Sequence, residues 1–137
     1  MNTRYTKFTV YLFNVEREVM KVEKGNIYYA DLNPGIGCEQ VGKRPVVIVQ
    51  NNKGNNYSPT TIVAPLTNYR NYKKRLPTHT FIKKGDGIKI DSIALLEQIR
   101  VIDKSRLGNY ITKLNKDNLK EINNSMLISL GLNGGEE

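Results

Sequence analysis

Hydrophobic residues along this chain come in short runs separated by turn residues. Val46-Val47-Ile48-Val49 and Thr61-Ile62-Val63-Ala64 are apolar nearly throughout, the pattern of strands covered on both faces. Five strands are expected, at Asn26 to Leu32, Pro45 to Gln50, Thr60 to Leu66, His79 to Ile82 and Ile93 to Ile102. Short strands at this spacing predict a mainly β small barrel or sandwich, not a parallel α/β sheet. Pro45 has no amide hydrogen for a ladder, so it is read as the boundary between loop and strand. Asn51 to Pro59, rich in Asn, Gly, Ser and Pro, reads as a turn. Asp103 to Leu107 reads as a short helical turn after the last strand.

The period then changes. Leu119, Ile122, Met126 and Leu130 recur at helical spacing and predict a C-terminal helix with this stripe in the core. Asn115 is the expected N-cap, with Leu114 and Leu119 at the two positions of a hydrophobic staple. Gly131 is the expected stop. Residues 133–137 are expected to be disordered. The patch Phe8-Thr9-Val10-Tyr11-Leu12-Phe13 has neither a long apolar core nor a small-residue cleavage site, so it does not read as a signal peptide. No apolar run approaches the roughly 18 residues of a membrane span, and no membrane partner is expected.

Length suggests one domain, since 137 residues can bury a modest core. Charge sharpens the picture. The net charge is +8, and it is uneven. Residues 69 to 89 carry Arg70, Lys73, Lys74, Arg75, Lys83, Lys84 and Lys89 against Asp86 alone, a local excess of 7 − 1 = +6. Tyr69 and Tyr72 lie inside the cluster. Cations attract phosphates without regard to sequence, and aromatic faces stack unpaired bases. The single cysteine, Cys38, and single histidine, His79, permit no intrachain disulfide and no zinc cluster. No metal or cofactor is expected, and a reducing, cytoplasmic setting fits best.

The chemistry concentrates just before the second strand. Gly37-Cys38-Glu39-Gln40-Val41-Gly42-Lys43-Arg44-Pro45 sets an acid, an amide and a guanidinium on a loop anchored by a buried strand. Charged groups held on such a base suit a phosphate reaction. Plain structural roles exist as well: a surface ion pair between Arg44 and Glu39, and a strand-ending hydroxyl at Thr67.

Several separate blocks, in order, resemble the MazF/PemK family of toxin endoribonucleases. They are Gly25-Asn26-Ile27-Tyr28-Tyr29-Ala30-Asp31-Leu32-Asn33-Pro34, Gly37-Cys38-Glu39-Gln40, Arg44-Pro45, Thr60-Thr61-Ile62-Val63-Ala64-Pro65-Leu66-Thr67, Leu76-Pro77-Thr78-His79, Asp91-Ser92, Leu96-Glu97-Gln98-Ile99-Arg100 and Ile102-Asp103-Lys104-Ser105-Arg106-Leu107. The resemblance implies an SH3-like barrel, a homodimer, and metal-independent cleavage of single-stranded RNA at short sequences. It also implies an antitoxin partner. The family's catalytic positions fall on Arg44 and Thr67, with Glu39 at a position implicated in activity in some members. Cys38 stands where the family usually has serine. Met20 stands where a first methionine is expected, so residues 1–19 are expected to be an N-terminal extension or a misassigned start. Residues 20–132 would then form the endoribonuclease domain.

Metal-free cleavage would use the RNA's own 2′-hydroxyl as nucleophile. Arg44 would fork onto phosphate oxygens, Thr67 would donate a hydrogen bond, and Glu39 is the candidate base. Gln40, Asn51, Tyr69, Tyr72 and Gln98 are candidate base-reading or stacking residues, and Lys73, Lys74 and Arg75 would steer the RNA backbone. His79 titrates in a useful range but sits in a loop-to-strand segment, so base contact or strand entry is expected of it. The competing class is a non-catalytic barrel toxin or nucleic-acid-binding module, for example a gyrase poison. Dependence on both Arg44 and Thr67 separates the two.

Overall fold

A computed structural model describes residues 5–10 and 15–133, with side chains from Lys21 onward. The tail beyond residue 133 and the very start of the chain lie outside the described residues. Strands β1 (Tyr5–Val10) and β2 (Val15–Met20) form an antiparallel pair of their own. They pair with no strand of the main sheet among the described residues.

The main sheet has seven antiparallel strands: β3 (Asn26–Asp31), β4 (Lys43–Ile48), β5 (Thr60–Asn68), β6 (His79–Ile82), β7 (Ser92–Leu95), β8 (Arg100–Asp103) and β9 (Leu107–Lys113). Their order is β6-β7-β5-β4-β3-β9, with β8 also on β5. The sheet curls in the manner of a small barrel, although β6 and β9 do not pair with each other among the described residues.

Alternation along the two central strands divides the core. Val46, Ile48 and Val63 face one side, with Tyr28, Leu32 and Ile102. Val47, Val49, Ala64 and Leu66 face the other, with Ile82, Leu96 and Ile122. Helix α2 (Lys116–Ser129) closes that second side.

The helix begins and ends as its residues dictate. Asn115 Oδ1 accepts from the Asn118 amide at 2.8 Å. At the other end Gly131 takes φ +69, its amide donates to Ile128 O at 3.1 Å, and Leu132 N donates to Leu127 O at 2.8 Å. This double bond pattern needs a residue free to turn left-handed, which glycine supplies. Ile122 is fully buried and Met126 packs on the core, but Leu130 is 52% exposed, contrary to the stripe expected of it. The inward place one turn earlier goes instead to Ser125, whose hydroxyl meets Thr80 Oγ1 at 2.9 Å.

Three other expectations change. The run Ile93 to Ile102 is not one strand. β7 and β8 both lie along β5, but a 3-10 turn at Leu96–Gln98 interrupts them. Continuing the Leu66↔Ala94 register would set residue 100 against Thr60, yet Asp103 stands there. The three extra residues are extruded, and Glu97 and Gln98 leave the sheet with them. Pro45 lies inside β4, opposite Tyr29, not at its boundary. Finally, Asn51 to Pro59 contains a short helix, α1 (Asn52–Tyr57), capped by Asn51.

Candidate active site

The β4–β5 ladder stops at Val46↔Pro65. Pro65 has no amide hydrogen, nor has Pro45 beside Val46, so the strands separate beyond this point. Arg44, just before Pro45, and Thr67, two residues past Pro65, stand at the parted ends of these two strands. The two residues are 23 apart in sequence, with two buried strands as the base.

Arg44 is fixed rather than free. Its Nε donates to Val41 O at 2.9 Å and its Nη1 to Leu66 O across the splayed strands at 3.4 Å. Burial holds its pKa below the usual arginine value, and it remains a cation at neutral pH. Thr67 is 5% exposed, and its Oγ1 accepts from Asn71 Nδ2 at 2.6 Å. With that lone pair occupied, the hydroxyl proton remains to be donated elsewhere. Arg44 and Thr67 both line a groove of about 390 Å³ with Tyr29, Lys43, Asn68 and Lys89.

The loop carrying Glu39 and Gln40 is clamped from the extruded turn. Gln98 Oε1 accepts from the Gln40 amide at 2.9 Å, and Gln98 Nε2 donates to Cys38 O at 3.4 Å. This clamp holds the segment whose Val41 carbonyl holds Arg44. Glu39 is exposed on the same loop and does not line the groove. Tyr72 packs edge-on to His79 with ring centroids 4.7 Å apart. Burial, with Glu97 and Cys38 nearby, raises its phenol above the ordinary value.

His79 opens β6, as strand entry. Its Nδ1 accepts from Leu76 N at 3.1 Å and its Nε2 meets Glu97 Oε2 at 2.9 Å. Both ring nitrogens of a neutral imidazole are thereby used, and the side chain has no exposure. It pins the loop over the sheet and does not line the Arg44 groove.

Other sequence candidates are scattered. Asn51 stands seven residues past Arg44, roughly 20 Å along the strand direction, and accepts from Gly54 N at 2.8 Å as the α1 cap. Tyr69 lies beside the groove, edge-on to Phe81. Lys73, Lys74 and Arg75 are exposed on the loop before β6. Asn71, absent from the sequence candidates, is the residue that addresses Thr67. Its position four residues after Thr67 was the available signal, but it needed the 3-10 turn Tyr69–Asn71 to have meaning. Among the described residues, no three of His, Cys, Asp and Glu gather as metal ligands.

Residues 23–130 match the model of the PemK-like, MazF-like toxin of type II toxin-antitoxin systems. The chain belongs to this family. An endoribonuclease MazF from Staphylococcus saprophyticus is 51% identical over 112 residues, spanning 81% of this chain and 92% of that protein. Among solved structures, MazF of Deinococcus radiodurans matches with TM-score 0.70 at 21% identity, over 82% of this chain and 99% of that one. A mycobacterial endoribonuclease in complex with its cognate antitoxin matches with TM-score 0.68 at 23% identity, over 83% and 99%. These structural likenesses establish the small-barrel MazF fold for the chain. The matched family span begins at Glu23, so the β1–β2 pair precedes it.

Proposed function

We propose that this MazF-family chain is an endoribonuclease toxin that cuts single-stranded RNA at the Arg44–Thr67 groove. The observation that carries the reading is the splayed end of β4 and β5. There a tethered guanidinium and a hydroxyl with an available proton belong to two residues that line one groove. Such a pair suits a phosphodiester, because the negative charge that grows on the phosphorane meets donors already in place.

In this reading Arg44 uses its remaining N–H groups on the non-bridging phosphate oxygens. Thr67 donates to the same charge. The ribose 2′-hydroxyl gives its proton to the base and attacks the neighbouring phosphorus, the bond to the 5′-oxygen breaks, and that oxygen takes a proton from water. The products are a 2′,3′-cyclic phosphate and a 5′-hydroxyl. Glu39 is the proposed base for the 2′-hydroxyl, presented by the loop that Gln98 clamps. The reaction needs no metal in this account. Gln40, Gln98, Tyr69 and Tyr72 contact the bases in this reading, and Lys73, Lys74 and Arg75 steer the backbone. Residues 1–19 are dispensable for cutting.

An antitoxin partner is supported by the family and by the antitoxin-bound mycobacterial relative. A homodimer in the cytoplasm completes the proposal. The end of α2 and the residues just past it leave Leu127, Leu130 and Leu132 exposed, apolar surface that a second copy would cover. The test incubates the purified protein with a long RNA and EDTA. Discrete fragments ending in cyclic phosphate support the proposal; intact RNA, with binding retained, would favour a non-catalytic toxin.

A further inference from the structure

The groove holding Arg44 and Thr67 does not end at Asn68. It adjoins a smaller basin of about 240 Å³, and the two share Asn68, Lys89 and Ile90. Tyr69, Arg70, Lys84 and Asp91 complete the basin. Arg70, Lys84 and Lys89 are exposed, and none forms a salt bridge among the described residues. Asp91 is the only carboxylate in the wall, and its Oδ1 already accepts from the Lys84 amide at 2.9 Å. Three cations around one carboxylate leave an excess of positive charge in the wall, which an anion bound among them offsets.

The wall is also rigid. Lys84 and Lys89 flank a two-residue turn, Asp86-Gly87, with φ +52 and +94. Gly85 and Ile88 exchange both backbone bonds, each 2.9 Å, the geometry of a tight hairpin. The turn is docked on β9, since a Cβ at Gly87 would lie 3.1 Å from Ile111 Cγ2. Opposite the hairpin, Tyr69 is held edge-on to Phe81 at 6.2 Å, with its amide on Asp91 O at 3.1 Å. It keeps 39% of its surface open. Arg70 lies over the Tyr69 ring, its Cζ 5.9 Å from the centroid, and Lys84 and Lys89 stand on the docked turn. Cations beside a partly exposed aromatic ring match a nucleotide: a phosphate for the first, a base for the second.

We propose that this basin is a subsite for a nucleotide flanking the scissile linkage. Lys84 and Lys89 take its phosphate, and Tyr69 supports its base without reading its identity. The subsite rests on the RNA-cleaving reading of the adjoining groove and adds a direction in which the RNA leaves it. Lys84 and Lys89, rather than the loop lysines, are the phosphate rail next to the cut.

The experiment starts from a cut position mapped on a long transcript. Short RNAs carrying that linkage are compared with versions extended by two nucleotides on the 5′ or the 3′ side. For the wild type, extension on one side raises kcat/KM by about tenfold, roughly one extra hydrogen bond to a charged group. In Lys84→Ala/Lys89→Ala that ratio falls to near one. The salt dependence on the extended RNA becomes shallower by about 0.7 for each phosphate that the variant no longer neutralises. Tyr69→Leu lowers the ratio without changing the salt slope. Lys116→Ala/Lys120→Ala, an equal reduction of charge on α2, keeps both at wild-type values. Retention of the wild-type ratio by the Lys84/Lys89 variant overturns the subsite, as does an equal fall in the α2 variant. A wild type that cuts short and extended RNAs equally overturns the subsite and leaves the cleavage reading standing; one that cuts neither removes both.

Discussion

Asn71 sets the direction of the Thr67 hydroxyl, and reversing its polarity tests that directly. Its Nδ2 donates to Thr67 Oγ1 across 2.6 Å, which leaves the threonine proton for phosphate. Asn71→Ala removes the donor but blocks nothing. One neutral hydrogen bond is worth about 1 kcal/mol net, so kcat falls roughly fivefold. Asn71→Asp is nearly isosteric yet accepts where asparagine donates. Thr67 then gives its proton to the carboxylate in a bond about twice as strong as a neutral one. The new anion also faces the phosphate. At about 5 Å and an effective dielectric near 20, that repulsion is roughly 3 kcal/mol. Asn71→Asp should therefore lose at least two orders of magnitude in kcat. Single-turnover cleavage of a labelled RNA measures both variants, with thermal melts to confirm folding. Equal rates for Ala and Asp, or a faster Asp variant, would refute the proposed role of the threonine proton.

Gln98→Ala removes both clamps on the Cys38–Gln40 segment, about 1 to 3 kcal/mol of local order. It should lower kcat/KM by roughly five- to a hundredfold and speed proteolysis within residues 33–42, while Gln98→Glu, which keeps the acceptor for Gln40 N, falls between. Ile122→Ala empties a fully buried site under the sheet and should cost about 2 to 5 kcal/mol in urea unfolding. Lys104 is buried, its ammonium donating to Asn55 O, and burial lowers its pKa from the ordinary 10.5. Between the folded and unfolded pKa values the unfolded chain binds the extra proton, so this residue's contribution to stability rises with pH across that window. Unfolding of wild type and Lys104→Met from neutral pH to about 10.5 should show the wild type gaining on the variant; a constant difference would contradict it.

The sequence made the central strands and the C-terminal helix legible because each carries its own signal. Val46 to Val49 and Thr61 to Ala64 cannot be other than covered, and Asn115 and Gly131 mark the helix ends through their own backbone chemistry. Arg44 and Thr67 were legible as types through the family blocks; their place on one groove depends on strand pairing that no local pattern states. The 3-10 turn at Leu96–Gln98 was illegible because apolar residues flank Glu97-Gln98 on both sides and no glycine or proline marks a break. Only pairing with the whole of β5 shows that three residues must be extruded. β9 escaped because Gly108 and Asn109 interrupt its pattern and its pairing with β3 shifts twice. Asn51 also caps α1, a role its short amide suits at a helix start but which depends on a helix the turn-like composition of the segment hides.

The most direct measurement follows the ends of the RNA. Wild type, Arg44→Ala and Thr67→Ala are incubated with a mapped RNA in EDTA, and fragment termini are read by mass spectrometry. The account predicts 2′,3′-cyclic phosphate and 5′-hydroxyl ends from the wild type. It also predicts a drop of at least a hundredfold in cutting rate for each variant, as expected when a preorganised donor to the developing charge is removed. Full-rate cutting by either variant, or 5′-phosphate ends from the wild type, would contradict it.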